Sequence, residues 1–199
     1  NVPWGYGNLI KNKGIIRSLP LDDLVNIVGN FLRNGNKLCN HILVVDKAPF
    51  IGPDVEWHQE FFNINTYAPG YSPKEDLDCF IQIFTALDEH NSKNGPLLVF
   101  KGSHQEGLLS YEDIINSNLS HKRRIIYKDL LNLSKKYELE EVILNPGDSI
   151  FFNHLLVHGS QTNCSAFRRR AILHQVRTNK LVKDNHIYTK EVNHRKGFL

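Results

Sequence analysis

Residues 145–160 read Asn145-Pro146-Gly147-Asp148-Ser149-Ile150-Phe151-Phe152-Asn153-His154-Leu155-Leu156-Val157-His158-Gly159-Ser160. The first four place Pro and Gly where a type II turn wants them. The run from Ser149 is β-type and strand-sized, and it passes through a bend into a second piece ending in His158-Gly159-Ser160. Similar segments are predicted around 40–46, 56–64, 78–87, 96–100, 140–144, 149–153 and 167–177, with a further break at Asn94-Gly95-Pro96. Several short strands with regular breaks predict a mainly β domain, a sandwich or barrel of the jelly-roll kind.

Outward from that core the pattern changes. Leu21, Leu24, Val25, Val28 and Leu32 recur at helical spacing, with Asp22 and Asp23 in the first turn, so 21–32 is predicted to be an amphipathic helix. Residues 110–137 are polar and read as a partly helical insertion, and 66–76 reads as a loop. The expectation is a single domain over 1–199: a helical flank at 1–38, a jelly-roll core at 39–177 and a C-terminal extension at 178–199.

Composition narrows the function classes. The chain has 199 residues, 41% hydrophobic and 23% charged, enough for one domain with a real core. No apolar run approaches the roughly 18–20 residues of a membrane span, and the N-terminus lacks the regions of a secretory signal. There is no Met, so the natural start is expected to lie upstream of Asn1. The net charge of +3 is mild. It suits an anionic small molecule and is too weak to argue for nucleic acid. His121-Lys122-Arg123-Arg124 reads as a solvated face. Cys39, Cys79 and Cys164 are odd in number and form no CxxC pair, so a reducing, cytoplasmic setting is expected. The oligomeric state is not legible.

The chemistry starts at Trp57-His58-Gln59-Glu60. Residues i and i+2 of a strand share a face, so His58 and Glu60 would aim an imidazole and a carboxylate at one point while Gln59 turns away. A lone HxE pair is weak. It gains force from His158-Gly159-Ser160 and from Arg169, eleven residues after His158 in the run Phe-Arg-Arg-Arg-Ala-Ile-Leu-His-Gln-Val. Two His and one carboxylate with open positions is the arrangement of non-haem Fe(II) oxygenases. A 2-oxoglutarate co-substrate would chelate the metal at one end and need a fixed cation for its far carboxylate, for which Arg is better suited than Lys. Strand parity puts Arg169, Ala171, Leu173 and Gln175 on one face, and Arg168, Arg170 and His174 on the other. His154 is read as part of the bend and His104 as a turn residue. His41, His90, His121, His186 and His194 carry no constellation. A zinc-type hydrolase or a non-catalytic jelly-roll binding module remains the alternative, and either would leave Arg169 without a purpose.

Taken in order, Lys-Ala-Pro at 47–49, Trp-His-Gln-Glu at 57–60, Gln-Ile-Phe-Thr-Ala-Leu-Asp at 82–88, Asn-Gly-Pro-Leu at 94–97, Gly-Ser-His at 102–104, Pro-Gly-Asp at 146–148, His-Gly-Ser at 158–160 and Arg169 resemble the phytanoyl-CoA dioxygenase family of Fe(II)/2-oxoglutarate oxygenases. The resemblance runs from about Lys47 to Arg177. It implies a double-stranded β-helix, cupin-like, with His58, Glu60 and His158 as metal ligands and Arg169 as the co-substrate anchor. It implies an enzyme that uses Fe(II), 2-oxoglutarate and O2 to hydroxylate an unactivated C–H bond of a small organic substrate, releasing succinate and CO2. Gln82 resembles a family Gln that contacts the co-substrate, and Ser160 is expected to donate to its far carboxylate. Two positions depart from the pattern. Glu60 stands where the family usually has Asp, and Phe84 where it often has Trp, which leaves that co-substrate contact apolar but smaller. Because Glu60 keeps the carboxylate, halogenation is disfavoured. Substrate recognition is expected from the loop 66–76, the insertion 110–137 and Trp4-Gly5-Tyr6-Gly7, with Trp4, Tyr6, Tyr67 and Tyr71 as candidate packing surfaces.

Overall fold

The computed structural model describes residues 5–6, 23, 26–28, 31–32, 37–60, 80–114, 123–178 and 190–191. Most of the predicted helix 21–32, the loop 66–76, Trp4, Tyr67 and Tyr71 lie outside them. Asp23 and residues 26–28 are helical. In chain order the described strands are β1 (Gly5–Tyr6), β2 (Lys37–Lys47), β3 (Val55–His58), β4 (Phe80–Ala86), β5 (Leu97–Phe100), β6 (Tyr111–Asp113) and β7 (Arg123–Ile125). Helix α1 (Tyr127–Lys136) follows, then β8 (Leu139–Val142), β9 (Ser149–Asn153), β10 (His158–Ser160), β11 (Arg169–Thr178) and β12 (Lys190–Glu191).

These strands make two antiparallel sheets. The larger runs β1-β2-β11-β4-β9, with β12 also paired to β2; the smaller runs β3-β10-β5-β8. The alternating apolar positions of both sheets meet in one core: Val45 of β2, Phe84 and Ala86 of β4, Leu97 and Val99 of β5, Phe152 of β9, and Ala171 and Leu173 of β11. That is the jelly-roll sandwich the sequence predicts. The turn at 145–148 is type II as read: the Asp148 N–H donates to the Asn145 carbonyl at 3.0 Å, and Gly147 has φ +94°.

Three expectations need adjusting. The strand predicted over 56–64 ends at His58; the Glu60 N–H donates to the His154 carbonyl at 2.9 Å, and 61–64 lie outside the described residues. The flank expected to be helical contains Gly5–Tyr6, an edge strand paired with Val45 and Val44, and the extension returns at Lys190–Glu191 to pair with Cys39 and Leu38. Local propensity could not reveal either pairing, because both depend on the exposed edge of β2.

The insertion holds a two-stranded sheet, β6 with β7, followed by α1. Ile125 of β7 and Leu133 of α1 bury against Phe100 and Val157, with Trp57 and Tyr137 packed alongside. It therefore covers the outer face of the smaller sheet. Among the described residues no helix is long and apolar enough to cross a membrane.

Gly159 sets how closely β10 approaches β3. A Cβ there would lie 2.9 Å from the Val55 carbonyl oxygen and 3.3 Å from the Trp57 ring. Gly159→Ala is expected to destabilise the fold by about 1–3 kcal/mol, because backbone must move to relieve the overlap. Urea denaturation checks this; an unchanged midpoint would mean that β10 has slack the packing does not show.

Candidate metal centre

β3 and β10 pair antiparallel with His58 directly opposite His158. Cross-strand partners hold their Cβ atoms close, and the two imidazole centroids stand 4.1 Å apart. Glu60 turns back onto the same point, with Oε1 3.4 Å from His58 Nε2 and 3.5 Å from His158 Nε2. One ligand atom from each residue lies within 4.8 Å of the others, and all three side chains are buried. The HxE spacing thus delivers both groups to one point although Glu60 is not in the strand.

The tautomers are fixed from behind. His58 Nδ1 is 2.7 Å from the Glu56 carbonyl oxygen, and His158 Nδ1 is 2.8 Å from that of Leu156. A carbonyl only accepts, so each Nδ1 carries a hydrogen, and each Nε2 faces the Glu60 oxygens: protonated, it donates to the carboxylate, and deprotonated, its lone pair is free for a metal. Burial opposes ionisation of Glu60, but the hydrogen bonds and charge of His158 and His58 outweigh it and hold the carboxyl well below the usual range. Burial, then the neighbouring His58, pushes His158 down. A carboxylate and two Nε2 lone pairs converging in a buried site need a cation between them: a shared proton in the metal-free protein, or a divalent ion that displaces it. The donor set fits such an ion.

Gln175 of β11 was not singled out in the sequence. Its Nε2 donates to Glu60 Oε2 at 3.2 Å, which orients the carboxylate from the larger sheet. Gln59 also does more than turn away. It is fully buried, donating to the Gly107 and Leu155 carbonyls and accepting from the Leu109 N–H, and so ties the start of the insertion to the ligand segment. His154 stays outside the cluster, edge-on to Phe80 with Nδ1 3.3 Å from the Phe80 carbonyl oxygen. Its carbonyl holds Glu60 in place.

The residues expected to take the co-substrate's far carboxylate lie mainly on the larger sheet. β11 places Ala171, Leu173 and Gln175 opposite Ala86, Phe84 and Gln82 of β4. Arg169 is 1% exposed, and its guanidinium sits 5.9 Å from the Phe84 ring centre. Nη2 donates to the Gly95 carbonyl at 2.7 Å, while Nε and Nη1 have no partner among the described residues. Burial lowers its pKa to about 10, against the pull of Asp46. Arg168 pairs with Asp46 at 2.6 Å and Arg170 with Asp88 at 2.9 Å, both on the outer side. Parity thus picks out one Arg of three. Gln82 has both amide atoms buried and unpartnered. Ser160 is buried beside His158 in β10, opposite inward Leu97.

Two further residues of this half were missed. Lys47, quoted above only as part of Lys-Ala-Pro, is 1% exposed and is the cross-strand partner of Arg169. His90, read as carrying no constellation, is fully buried and edge-on to Phe84 at 5.6 Å; Nε2 is 3.1 Å from the Arg170 carbonyl oxygen, and Nδ1 is unpartnered. The alternation of β2 carried a signal for Lys47, since Leu43, Val45 and Lys47 share a face. Nothing local marked His90.

A sequence profile of the phytanoyl-CoA dioxygenase family (PhyH) matches residues 15–171. The chain belongs to this family. It is 24% identical over 162 residues to the peroxisomal phytanoyl-CoA dioxygenase of Bos taurus, covering 81% of this chain and 45% of that protein. It is 25% identical over 154 residues to a probable alpha-ketoglutarate-dependent hypophosphite dioxygenase of Stutzerimonas stutzeri, covering 76% and 49%. The chain thus spans about half the length of the curated relatives it matches. Among solved structures, EvdO2 from Micromonospora carbonacea var. aurantiaca superposes with TM-score 0.70 at 18% identity, over 96% of this chain and 69% of that one. EctD from S. alaskensis with 2-oxoglutarate and 5-hydroxyectoine gives TM-score 0.66 at 17% identity, over 89% and 57%. These two likenesses show the shared fold.

Gln175→Leu is expected to leave folding nearly intact and weaken divalent-metal binding by about 10–100-fold, the usual consequence of losing a group that orients a ligand. Calorimetric titration with Co(II) measures it. Wild-type affinity in the variant would show that Glu60 holds its orientation without this hydrogen bond.

Proposed function

We propose that this chain carries the active site of an Fe(II)- and 2-oxoglutarate-dependent oxygenase that hydroxylates a small organic substrate. The observation that carries the reading is the presence of two buried half-sites in one sandwich: a His58, Glu60, His158 cluster, and Arg169 with two donors unpartnered among the described residues. A zinc-type hydrolase would use the first half and leave the second unexplained. Membership of the phytanoyl-CoA dioxygenase family and the name of the Stutzerimonas stutzeri relative support the same reading. The single oxygenase domain over 1–199 and a reducing, cytoplasmic setting belong to the proposal too.

His58, Glu60 and His158 would hold Fe(II) as two neutral imidazoles and one carboxylate. The bound metal supplies O2 activation, coupled to conversion of 2-oxoglutarate to succinate and CO2, with the second oxygen atom going to the C–H bond of the substrate. What the chain does is hold geometry. Glu56 and Leu156 carbonyls fix the imidazole tautomers, and Gln175 fixes the carboxylate. Arg169 neutralises the far carboxylate of 2-oxoglutarate, and Gln82 and Ser160 offer polar contacts along its length. Phe84 and Phe152 flank that space with apolar surface, which excludes water and strengthens each charge interaction. Recognition of the substrate falls to the loop 66–76 and the insertion 110–137, because loops on such a scaffold carry specificity.

Purified protein with Fe(II) and ascorbate is expected to release succinate from 2-oxoglutarate, slowly even without substrate. Metal-dependent hydrolysis indifferent to 2-oxoglutarate would replace this reading with the hydrolase. The three consecutive Arg give a sharper comparison. Arg169→Ala should cost about 2–5 kcal/mol of 2-oxoglutarate binding, roughly 30-fold to several thousand-fold. Arg168→Ala and Arg170→Ala should each cost far less of 2-oxoglutarate binding, about 0–1 kcal/mol, because both guanidiniums are half-exposed and committed to Asp46 and Asp88. Anaerobic titration of the metal-loaded variants decides, and equal losses at all three would show that position 169 has no special part.

A further inference from the structure

His58 and His158 face inward, so the residues beside them in the chain face outward. Trp57 precedes His58 and Val157 precedes His158. Both belong to the cluster in which Ile125 of β7 and Leu133 of α1 bury against Phe100, and the Trp57 and Phe100 ring centroids stand 4.9 Å apart. Gln59, between His58 and Glu60, is fully buried and bonds to Gly107, Leu109 and Leu155. The outer side of both ligand-bearing segments is therefore held by the insertion or by the turn that leads into it.

That turn is itself locked at both ends. Ser103–Glu106 form one 3-10 turn between Gly102, at φ +89°, and Gly107, at φ +73°. On the inner side Ser103, fully buried, accepts the Val157 N–H through Oγ at 2.9 Å. On the outer side Glu106 Oε1 takes the Tyr137 hydroxyl at 2.5 Å and the Lys136 ammonium. The Lys101 N–H donates to the Glu138 carbonyl at 2.9 Å, and a Cβ on Gly102 would lie 3.3 Å from the Tyr137 ring. One turn thus joins the residue before His158 to the end of α1.

We propose, on the metal-centre reading above, that this turn and the insertion behind it position the metal ligands. Ser103 is the positioning residue for His158, Gln59 for His58 and Glu60, and Glu106 ties both to α1. Strand pairing alone does not fix the cluster. β3 is an edge strand of four residues, β10 has three, and their register shifts between His158 and Ser160. Backing from the outer side supplies the missing constraint, as groups behind a metal ligand commonly do. The insertion then has a part in the metal centre that a recognition loop laid on a finished barrel would not have. A side chain that only held the fold together would, once removed, lower stability and leave the coordination of a bound ion unchanged. A positioning side chain changes the coordination as well.

The test titrates Co(II), whose visible absorption reports the number and geometry of its ligands, into the full chain and its variants, with urea denaturation alongside. Ser103→Ala and Gln59→Met should each weaken Co(II) binding by about 10–100-fold and change the band shape. Glu106→Ala removes only an exposed carboxylate. It should weaken binding by roughly two- to fivefold, and by less than that when added to Ser103→Ala, because both act through one turn. Thr85→Val is the control. Thr85 Oγ1 lies 2.8 Å from Ser149 Oγ on the outer face of the larger sheet, so the variant loses a hydrogen bond away from the insertion. It should lose stability and keep the wild-type spectrum and affinity. Brace variants that lose stability yet keep that spectrum and affinity overturn the proposal, and Glu106→Ala, a surface change, can return that result even if a buried variant fails to fold. A change in Thr85→Val as large as in Ser103→Ala overturns it too, since any loss of stability would then suffice. A wild-type chain that binds no Co(II) overturns the metal-centre reading itself, and the proposal with it.

Discussion

A buried guanidinium with two of its donors unpartnered among the described residues is the constraint to which the rest of this structure answers. Taking one ion out of water costs several kcal/mol after relaxation, and Arg169 recovers little through its one hydrogen bond to Gly95. The chain cannot relieve the cost by turning the side chain out. β11 is paired along its length, ten residues against β2 and seven against β4. A slip of one residue would expose Arg169 only by sending Ala171 and Leu173 out of the core with it. The core thus holds in place a charge whose burial is unfavourable, and an anion that bound it would stabilise the fold.

The two sheets divide the chemistry between them. The smaller one brings the imidazoles together through a single cross-strand pair, His58 with His158. The larger one carries the cations, Lys47 and Arg169, on neighbouring strands. Their inner faces share one core, and Gln175 spans the gap to Glu60. Because the same strand, β11, carries both Gln175 and Arg169, the spacing between the His58, Glu60, His158 cluster and the buried guanidinium is set by strand geometry rather than by a loop. Positions on a rigid strand are held more closely than positions on a loop.

What was legible in the sequence was what depends on local rules. Strand parity singled out Arg169 among three adjacent arginines. The Pro146-Gly147 turn was readable because a positive φ at its third position calls for Gly. His58 and Glu60 were readable as a pair, although the strand ends at His58 and the carboxylate arrives from beyond it, on backbone held by the His154 carbonyl. What escaped depends on contacts between distant segments. Gln175 matters only because Glu60 lies across the core, 115 residues away. Gln59 matters because the insertion folds back onto it, with partners at Gly107 and Leu109. Lys47 matters because β11 pairs with β2 in one register and not its neighbour. No residue in the vicinity of any of these announces the partner.

His90 shows how such a non-local residue can shape the anion site. It fills space beside Phe84, the position where the family often carries the larger Trp, with the rings 5.6 Å apart. Its Nε2 faces the Arg170 carbonyl, which can only accept, so that nitrogen carries the hydrogen and Nδ1 keeps a lone pair. Protonating Nδ1 is opposed by burial first and by the Arg169 charge second. The ring therefore stays neutral and presents an acceptor beside a guanidinium that has donors to spare. An acceptor attracts the guanidinium and repels a carboxylate oxygen.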